Sequence, residues 1–344
     1  MTTAFEAATS NAAEKGSENL RSEFQALLAG CAVYDLSSRA KLRLTGSDRV
    51  RWLNGMVTNN IRDLAPNHGV YCFLLSAQGR IQADLYAYRL GDSLLVDTDA
   101  QLRDTLLAHF DKFIIMDDVE VADVSATIAT VGIAGPKAPE VLRKAGILIP
   151  DVAPLELCTP KCECDCGCLQ CTALRGDAAF GEAYEIWLAP DKAQPTRDAL
   201  LAAGATAVGQ KALELRRIGL GIPRFGVDIR ERDLPQETGQ MRALNFTKGC
   251  YLGQEIVERI RSRGAVHRQF GAFLVEGPLP APGTRIQADD KEVGEITSSA
   301  NLPLPAGDHA VALGYLRREA AAKLLRAGAS ALQVTPLPMI GVNS

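Results

Sequence analysis

The sequence predicts an α+β protein that ends in a small all-β domain. Between residues 19 and 140, segments with the two-residue periodicity of strands alternate with segments of helical periodicity. After residue 264, short apolar runs are separated by Pro and Gly turns, which is typical of a small β-barrel. The 344 residues are 47% hydrophobic and 23% charged, an ordinary globular composition with room for two or three domains.

Four parts are expected along the chain. Residues 1–18 are small, polar and partly acidic, and we predict a disordered lead-in. Residues 19–140 form a first α+β domain, and residues 141–260 form a second one that contains a Cys-rich insertion at 158–171. Residues 261–344 form the barrel domain.

The first domain is predicted from hydrophobic spacing and turn residues. Asp48 is expected to cap a helix that runs through Met56. Gln78 and Gly79 form the turn of a hairpin. The further helices cover 19–31 and Gln101–Phe113. The strands cover Leu42–Leu44, Val70–Leu75, Ile81–Leu90 and Ser93–Thr98.

The later elements follow from the same rules. Gly135-Pro136 opens a helix through Leu142, and two more helices are expected over Thr196–Ala203 and Lys211–Ile218. Strands are expected over Val119–Val124, Ile128–Ile133 and Ala183–Leu188. In the barrel domain they are expected over Gln269–Val275, Thr284–Ala288, Glu292–Thr297 and Ala310–Leu316.

Charge and hydropathy exclude several partners. The net charge of −4 provides no large basic field, so duplex DNA is not an expected partner, and neither is direct RNA binding. No apolar stretch approaches the roughly 20 residues that a membrane span needs. The N-terminal residues lack the features of a secretory signal and the arginines of a transit peptide, so we expect a cytoplasmic protein.

Cysteine usage indicates thiol or metal chemistry. The total of nine is odd and comes without a secretion signal, which argues against a disulfide framework. Six thiols this dense could bind a soft metal such as zinc, copper or iron, but a redox-labile loop or an insertion without function stays open. The six are Cys158, Cys162, Cys164, Cys166, Cys168 and Cys171.

The segment Lys248–Glu255 (KGCYLGQE) combines a thiol with glycines and polar side chains. Lys248 is placed to lower the pKa of the Cys250 thiol. Glycine lets backbone approach a ligand closely, and Gln254 and Glu255 could pair with a polar heterocycle. The same letters also describe a glycine turn, a buried thiol and a helix start, so the residues alone leave both interpretations open.

This segment closely resembles the signature of YgfZ-type folate-binding proteins, a branch of the aminomethyltransferase (glycine-cleavage T-protein) superfamily. The resemblance extends over roughly residues 30–320, excluding the Cys-rich insertion. It implies an aminomethyltransferase-like arrangement of folate-binding domains followed by the barrel. The segments that carry it are Val57–Asn60, Gly79–Asp84, Gly181–Ile186, Arg217–Ile218, Gly221–Asp228 and Leu234–Glu237.

The resemblance also implies site residues. Glu185 matches the glutamate that binds the pterin ring, whose adjacent donors suit a bidentate carboxylate. Arg217 matches an arginine near the folate, although Gly219 replaces a glutamate usual in the family. Asp84 belongs to a motif with two aspartates, of which Ala83 replaces one, and this departure argues against aminomethyl transfer. The alternatives are a solvent-facing strand position for Glu185, a helix-surface charge for Arg217 and a plain hairpin position for Asp84. The other candidate ligands are Asn59, Tyr251, Gln254 and Glu255.

We therefore expect a protein that binds tetrahydrofolate or a one-carbon derivative of it. By resemblance, it would assist the assembly or repair of iron–sulfur proteins, including enzymes of tRNA modification. Cys250 would be its reactive thiol, and its partners would be iron–sulfur client proteins or assembly factors. Two alternatives are a folate-dependent aminomethyltransferase and a thiolate protein that binds or delivers metal. The client proteins, the folate form, its turnover and the oligomeric state do not follow from the sequence.

Overall fold

The computed structural model describes residues 16, 18–162, 171–264 and 266–341, without the side chains of Cys162 and Arg263. A first helix, α1 (residues 18–29), leads into strand β1 (Ala32–Asp35). The longer helices that follow in the described residues are α2 (Arg49–Met56), α3 (Arg103–Phe113), α4 (Ala138–Lys144), α5 (Pro190–Ala202), α6 (Gln210–Leu220) and α7 (Gln254–Arg263). No helix of the described ranges is long and apolar enough to cross a bilayer.

The first sheet is antiparallel and has the strand order β3-β4-β5-β2-β6. Its strands are β2 (Ala40–Thr45), β3 (Gly69–Leu75), β4 (Ile81–Arg89), β5 (Leu94–Thr98) and β6 (Glu120–Asp123). Apolar side chains on one face of the sheet pack with α2 and α3, where Trp52 meets Phe110 edge-to-face at 5.2 Å. Each fully buried large side chain stabilises such a core by about 2 kcal/mol.

The second sheet has the order β13-β1-β7-β12-β11-β9. The strands added here are β7 (Ala129–Ala134), β9 (Leu157–Cys158), β11 (Thr172–Arg175), β12 (Ala183–Leu188) and β13 (Thr206–Ala207). A separate two-stranded ladder joins β8 (Ile147–Leu148) to β10 (Lys161–Cys162). The two large sheets do not divide at residue 140, because β1 and β7 precede that position yet pair with strands that follow it. The predicted boundary between the α+β domains therefore does not separate these sheets.

The C-terminal domain is a closed barrel with the order β14-β17-β16-β15-β18-β19. Its strands are β14 (Arg268–Glu276), β15 (Arg285–Ala288), β16 (Lys291–Leu304), β17 (Gly307–Arg317), β18 (Leu325–Ala327) and β19 (Ser330–Thr335). Closure leaves no free edge that could pair with another chain. The α+β fold class and the C-terminal barrel predicted from the sequence are confirmed.

Several local predictions differ from the structure for identifiable reasons. Asp48 holds the N-cap position of α2, but its carboxylate accepts a hydrogen bond from the Asp118 backbone N–H at 3.0 Å and does not cap the helix. Helix α5 begins at Pro190, before the predicted Thr196, because proline is well suited to the first helical turn. A 3₁₀ turn at residues 100–102 precedes α3, so that helix begins two residues later than predicted.

Candidate functional site

A cavity of about 330 Å³ lies where the two large sheets approach each other. The first sheet contributes Asp84, Tyr86 and Tyr88 of β4, and the second contributes Glu185 of β12. Helix α6 and the segment that follows it complete the wall with Arg216, Arg217 and residues 222–225. Apolar aromatic walls with a few charged groups are typical of a site for a small organic ligand.

Glu185 presents a partly free carboxylate in this wall. Its Oε2 accepts a hydrogen bond of 2.9 Å from the Trp187 indole N–H. Within the described ranges, no donor bonds its Oε1. Burial raises the pKa of Glu185, and the nearby Asp97 carboxylate raises it further, whereas Lys41 and Arg39 lower it. One carboxylate oxygen is thus fixed by the protein, and the other is available to a ligand.

Asp84 and Ala83 face opposite sides of β4. Asp84 lines the cavity and accepts a hydrogen bond of 2.8 Å from the Tyr71 hydroxyl. Burial is the main influence on Asp84 and raises the pKa of its carboxyl. Ala83 is fully buried in the apolar core of the first sheet, as strand alternation requires. A carboxylate at position 83 would enter that core, so Ala83 does not remove an acid from the cavity.

Arg217 lies at the cavity, but its guanidinium is occupied by the protein. It pairs with Glu214 at 2.7 Å and with the fully buried Asp228 at 2.7 Å. It also donates to the Ile222 carbonyl at 2.6 Å and to Ser298 Oγ of the barrel at 3.0 Å. These bonds join α6 to the barrel, so Arg217 is neither a surface charge nor a free ligand-binding group.

Lys248 is buried with its ammonium inside a ring of backbone carbonyls. Its Nζ donates to the carbonyl oxygens of Asn54, Val57 and Asn59 at 2.5, 2.6 and 2.7 Å. These carbonyls lie at and just beyond the C-terminal end of α2, where carbonyls lack helical partners. Burial lowers the pKa of Lys248 to about 8.

The Cys250 side chain, in contrast, is exposed. The proposed pairing of the two for thiolate formation has no support in this geometry.

The rest of the Lys248–Glu255 segment also lies outside the cavity lining. The Tyr251 ring belongs to the core of the first sheet, and its backbone N–H donates to Gln254 Oε1 at 3.1 Å. Glu255 is exposed and pairs with Arg259 at 2.5 Å. Gly253 adopts a φ of +81°, and a Cβ there would approach the Ser76 carbonyl oxygen to 2.5 Å. Glycine is therefore required for close contact with the β3–β4 turn.

Asn59 ties two backbone segments together. Its amide donates to the carbonyl oxygens of Tyr71 at 3.0 Å and of Arg242 at 2.9 Å. The side chain is not part of the cavity lining. Of the sequence-predicted residues, the structure thus brings together Glu185, Asp84 and Arg217, and it places Asn59 and the Lys248–Glu255 segment elsewhere.

Sequence reasoning missed several cavity groups that depend on long-range packing. Arg242 lies over the Tyr71 ring, with 4.3 Å between guanidinium carbon and ring centroid, and pairs with Asp177. Arg216 is buried and donates to the Phe180 carbonyl. No local pattern marks these residues, because each acquires its neighbours from a different element.

Only part of the cysteine insertion falls within the described residues. Cys158 lies in β9 opposite Ala173 of β11, and Cys171 is buried just before β11. Cys164, Cys166, Cys168 and the side chain of Cys162 lie outside the described residues. Among the described residues, no three His, Cys, Asp or Glu side chains form a group that could hold a metal. The metal site stays a prediction.

Known protein families match nearly the whole chain. Residues 1–248 match the family described as GCVT N-terminal domain, and residues 260–339 match the family described as CAF17, C-terminal beta-barrel domain. An aminomethyltransferase of Caldanaerobacter subterraneus is 25% identical over 83% of this chain and 77% of its own length. A putative chloroplastic transferase of Arabidopsis thaliana is 25% identical over 85% of this chain and 66% of its own.

A solved structure shares the fold. The glycine cleavage system aminomethyltransferase T of Bartonella henselae superposes with a TM-score of 0.82 at 20% identity, covering 93% of this chain and 89% of its own. The predicted aminomethyltransferase-like architecture is thereby confirmed.

Proposed function

Because this chain belongs to the GCVT N-terminal domain family and carries a CAF17 C-terminal barrel, we propose that its central cavity binds a reduced folate. The single observation that carries the proposal is the Glu185 carboxylate, which one indole N–H fixes and whose second oxygen is unbonded within the described residues. The pterin edge presents an amino group beside a ring N–H; the unbonded Oε1 can accept one of them, and Oε2 has a second lone pair for the other.

The surroundings of Glu185 support the same ligand. A cavity of about 330 Å³ falls at the lower end of the range for small-molecule sites and suits burial of a bicyclic ring rather than of a whole long ligand. Tyr34, Tyr86 and Tyr88 supply aromatic wall surface. Asp84 adds a second acidic acceptor on the facing sheet.

Calorimetry of tetrahydrofolate binding tests the site. Glu185→Gln turns an acceptor oxygen into a donor, so we expect a loss of about 2–3 kcal/mol in binding free energy, a weakening of roughly 30- to 150-fold. Glu140→Gln serves as the matched control, because it removes an exposed carboxylate that pairs with Lys144 and is not part of the cavity lining. Undiminished binding by Glu185→Gln would refute this site. A loss in Glu255→Gln instead would move the site to the Lys248–Glu255 segment.

We further propose that the folate-bound protein assists the assembly or repair of iron–sulfur proteins, including tRNA-modifying enzymes. The match to the CAF17 barrel domain supports this role, and so does the exposed Cys250 thiol, which a partner protein can reach. Cys250→Ser, expressed in a bacterium that lacks its own family member, should fail to restore an iron–sulfur enzyme under oxidative stress. Full restoration of the enzyme by Cys250→Ser would show that the Cys250 thiol is not needed for this role.

One observation favours folate-dependent aminomethyl transfer as a second candidate. The cavity retains Asp84, and Ala83 points into the core, so the substitution at position 83 leaves the acid of the cavity in place. Incubation with an aminomethylated lipoyl carrier protein separates the candidates. Ammonia release that depends on tetrahydrofolate and is lost in Asp84→Asn would establish the transferase, and its absence would favour the maintenance role.

A further inference from the structure

Tyr71 lines the cavity, and its ring and backbone are held by neighbouring side chains. Its backbone carbonyl accepts a hydrogen bond of 3.0 Å from the Asn59 amide. The Arg242 guanidinium covers the ring at 4.3 Å, and the rings of Tyr86 and Phe73 lie at 5.0 and 5.5 Å. The residue is 6% exposed, so these neighbours restrict the ring and thereby the direction of its hydroxyl.

That direction leads to Asp84. The Tyr71 hydroxyl donates to Asp84 Oδ2 at 2.8 Å, within the normal range for an O–H donor to a carboxylate. A core tyrosine would satisfy its hydroxyl equally well on a backbone carbonyl. Here the hydroxyl instead reaches a cavity carboxylate from the adjacent strand β3.

We propose that Tyr71 is a positioning residue: it keeps the Asp84 carboxylate ionised and aimed into the cavity. Oδ1 of Asp84 then remains for a ligand N–H, while the phenol occupies Oδ2. Asn59 acts through Tyr71, because its amide holds the Tyr71 backbone, and Arg242, itself a cavity group, also covers the Tyr71 ring. Lys248, which donates to the Asn59 carbonyl, is thus connected to the cavity through Asn59 and Tyr71.

The other charged groups near Asp84 set the direction of the expected effect. Burial raises the pKa of Asp84, and the Asp99 carboxylate at the end of β5 raises it too. The Tyr71 hydrogen bond and the Arg39 guanidinium before β2 lower it. The pKa of Tyr71 itself lies well above its ordinary value, because its ring is buried, so the phenol remains a donor throughout the titration of Asp84.

Tyr86 provides a matched control for the hydroxyl of Tyr71. Its ring is the tilted neighbour at 5.0 Å, and its hydroxyl donates to Asp177 at 3.1 Å rather than to Asp84. Tyr71→Phe and Tyr86→Phe each remove one oxygen from the same cavity wall, so both lose similar polarity. Only the first removes a donor from Asp84.

Carbon NMR of aspartate-labelled protein follows the titration without any ligand, and Asp84→Asn identifies the signal. We expect Tyr71→Phe to raise the titration midpoint of Asp84 by about one pH unit, because the charged form loses a hydrogen bond. Tyr86→Phe should leave it within a few tenths of a unit. No shift in Tyr71→Phe, or equal shifts in both variants, would overturn the positioning role.

A second arm measures tetrahydrofolate affinity against pH, and this arm rests on the proposed folate site. Tyr71→Phe should bind up to roughly tenfold more weakly at pH values below the Asp84 midpoint and approach wild-type affinity well above it, whereas Tyr86→Phe should retain the wild-type pH profile. A parallel, pH-independent loss in both variants would contradict the inference. Wild-type protein that binds no tetrahydrofolate would refute the proposed function, and the ligand-free titration would still decide the role of Tyr71.

Discussion

The cavity and the Lys248–Glu255 segment use buried charge in opposite ways. In the cavity, Glu185 keeps one carboxylate oxygen unbonded within the described residues, and Asp84 is held by a single phenol. In the segment, Lys248 donates all three ammonium hydrogens to backbone carbonyls, whereas the Cys250 thiol is exposed at the surface. The residues of the segment that most resemble the family signature therefore lie outside the cavity lining. The segment organises the backbone beside the cavity and presents a thiol on the surface.

We expect the largest effect on stability from Arg217→Leu. Arg217 lies at the cavity, yet its guanidinium is bonded to other residues of the protein. The change leaves Asp228 buried and without its cation, and we expect the free energy of unfolding to fall by about 3–5 kcal/mol. Denaturant titration measures the loss, with Arg224→Leu as the exposed control, whose ion pair within the described residues is with Glu214. A stable variant with weakened folate binding would return Arg217 to the ligand site.

Because Lys248 holds the backbone of the segment in place, Lys248→Met should lower the free energy of unfolding, though by less than Arg217→Leu. Three carbonyls lose their donor while the stem volume is kept, so the free energy of unfolding should fall by about 2–3 kcal/mol. Lys144→Met removes an exposed lysine from a surface pair and should change it by less than about 0.5 kcal/mol. If the two variants unfold alike, the carbonyl ring does not contribute to stability.

The contribution of Lys248 to stability should depend on pH. The pKa of Lys248 is lowered to about 8 in the folded protein from an ordinary 10.5. Between these values the unfolded chain binds more protons, so the contribution of Lys248 to stability increases as pH rises. The gap between wild type and Lys248→Met should therefore widen by roughly 1–2 kcal/mol from about pH 7 to about pH 9. A constant gap would contradict the lowered pKa.

Cys250→Ser should have the smallest effect on both the fold and the cavity. The side chain is exposed, so we expect a change in unfolding free energy within about 0.5 kcal/mol and unchanged tetrahydrofolate affinity. Calorimetry and denaturation check both. A marked loss of affinity would mean that the segment and the cavity form one site after all.

The cysteine insertion lies outside both regions and allows a separate test. Anaerobically purified protein is analysed for metal and visible absorption before and after replacement of its six cysteines by serine. The thiolate prediction requires that both signals disappear in the variant. Equal metal content in the two proteins would exclude the insertion as a metal site.

Local pattern predicted most of the fold. Turn residues and strand alternation gave the β3–β4 hairpin, β12 and the barrel, and alternation on β12 separated Glu185 from the core residue Ile186. The same rule applied to β4 would have shown that Ala83 and Asp84 face opposite ways. Alternation and turn residues do not predict the buried ion pairs and hydrogen bonds, because these join residues that are distant in the sequence. Lys248 bonds to Asn54, and Arg217 bonds to Ser298 of the barrel.

The position of β1 also has a consequence for synthesis on the ribosome. Strands β2 to β6 emerge as a continuous set and can pair among themselves, whereas β1 emerges before them and pairs with β7 and β13. Ala32 therefore cannot pair with its neighbour Thr206 until most of the chain has been translated. The cavity between the sheets is consequently incomplete until α6 and Arg242 have emerged, and a nascent chain cannot bind ligand there before that point.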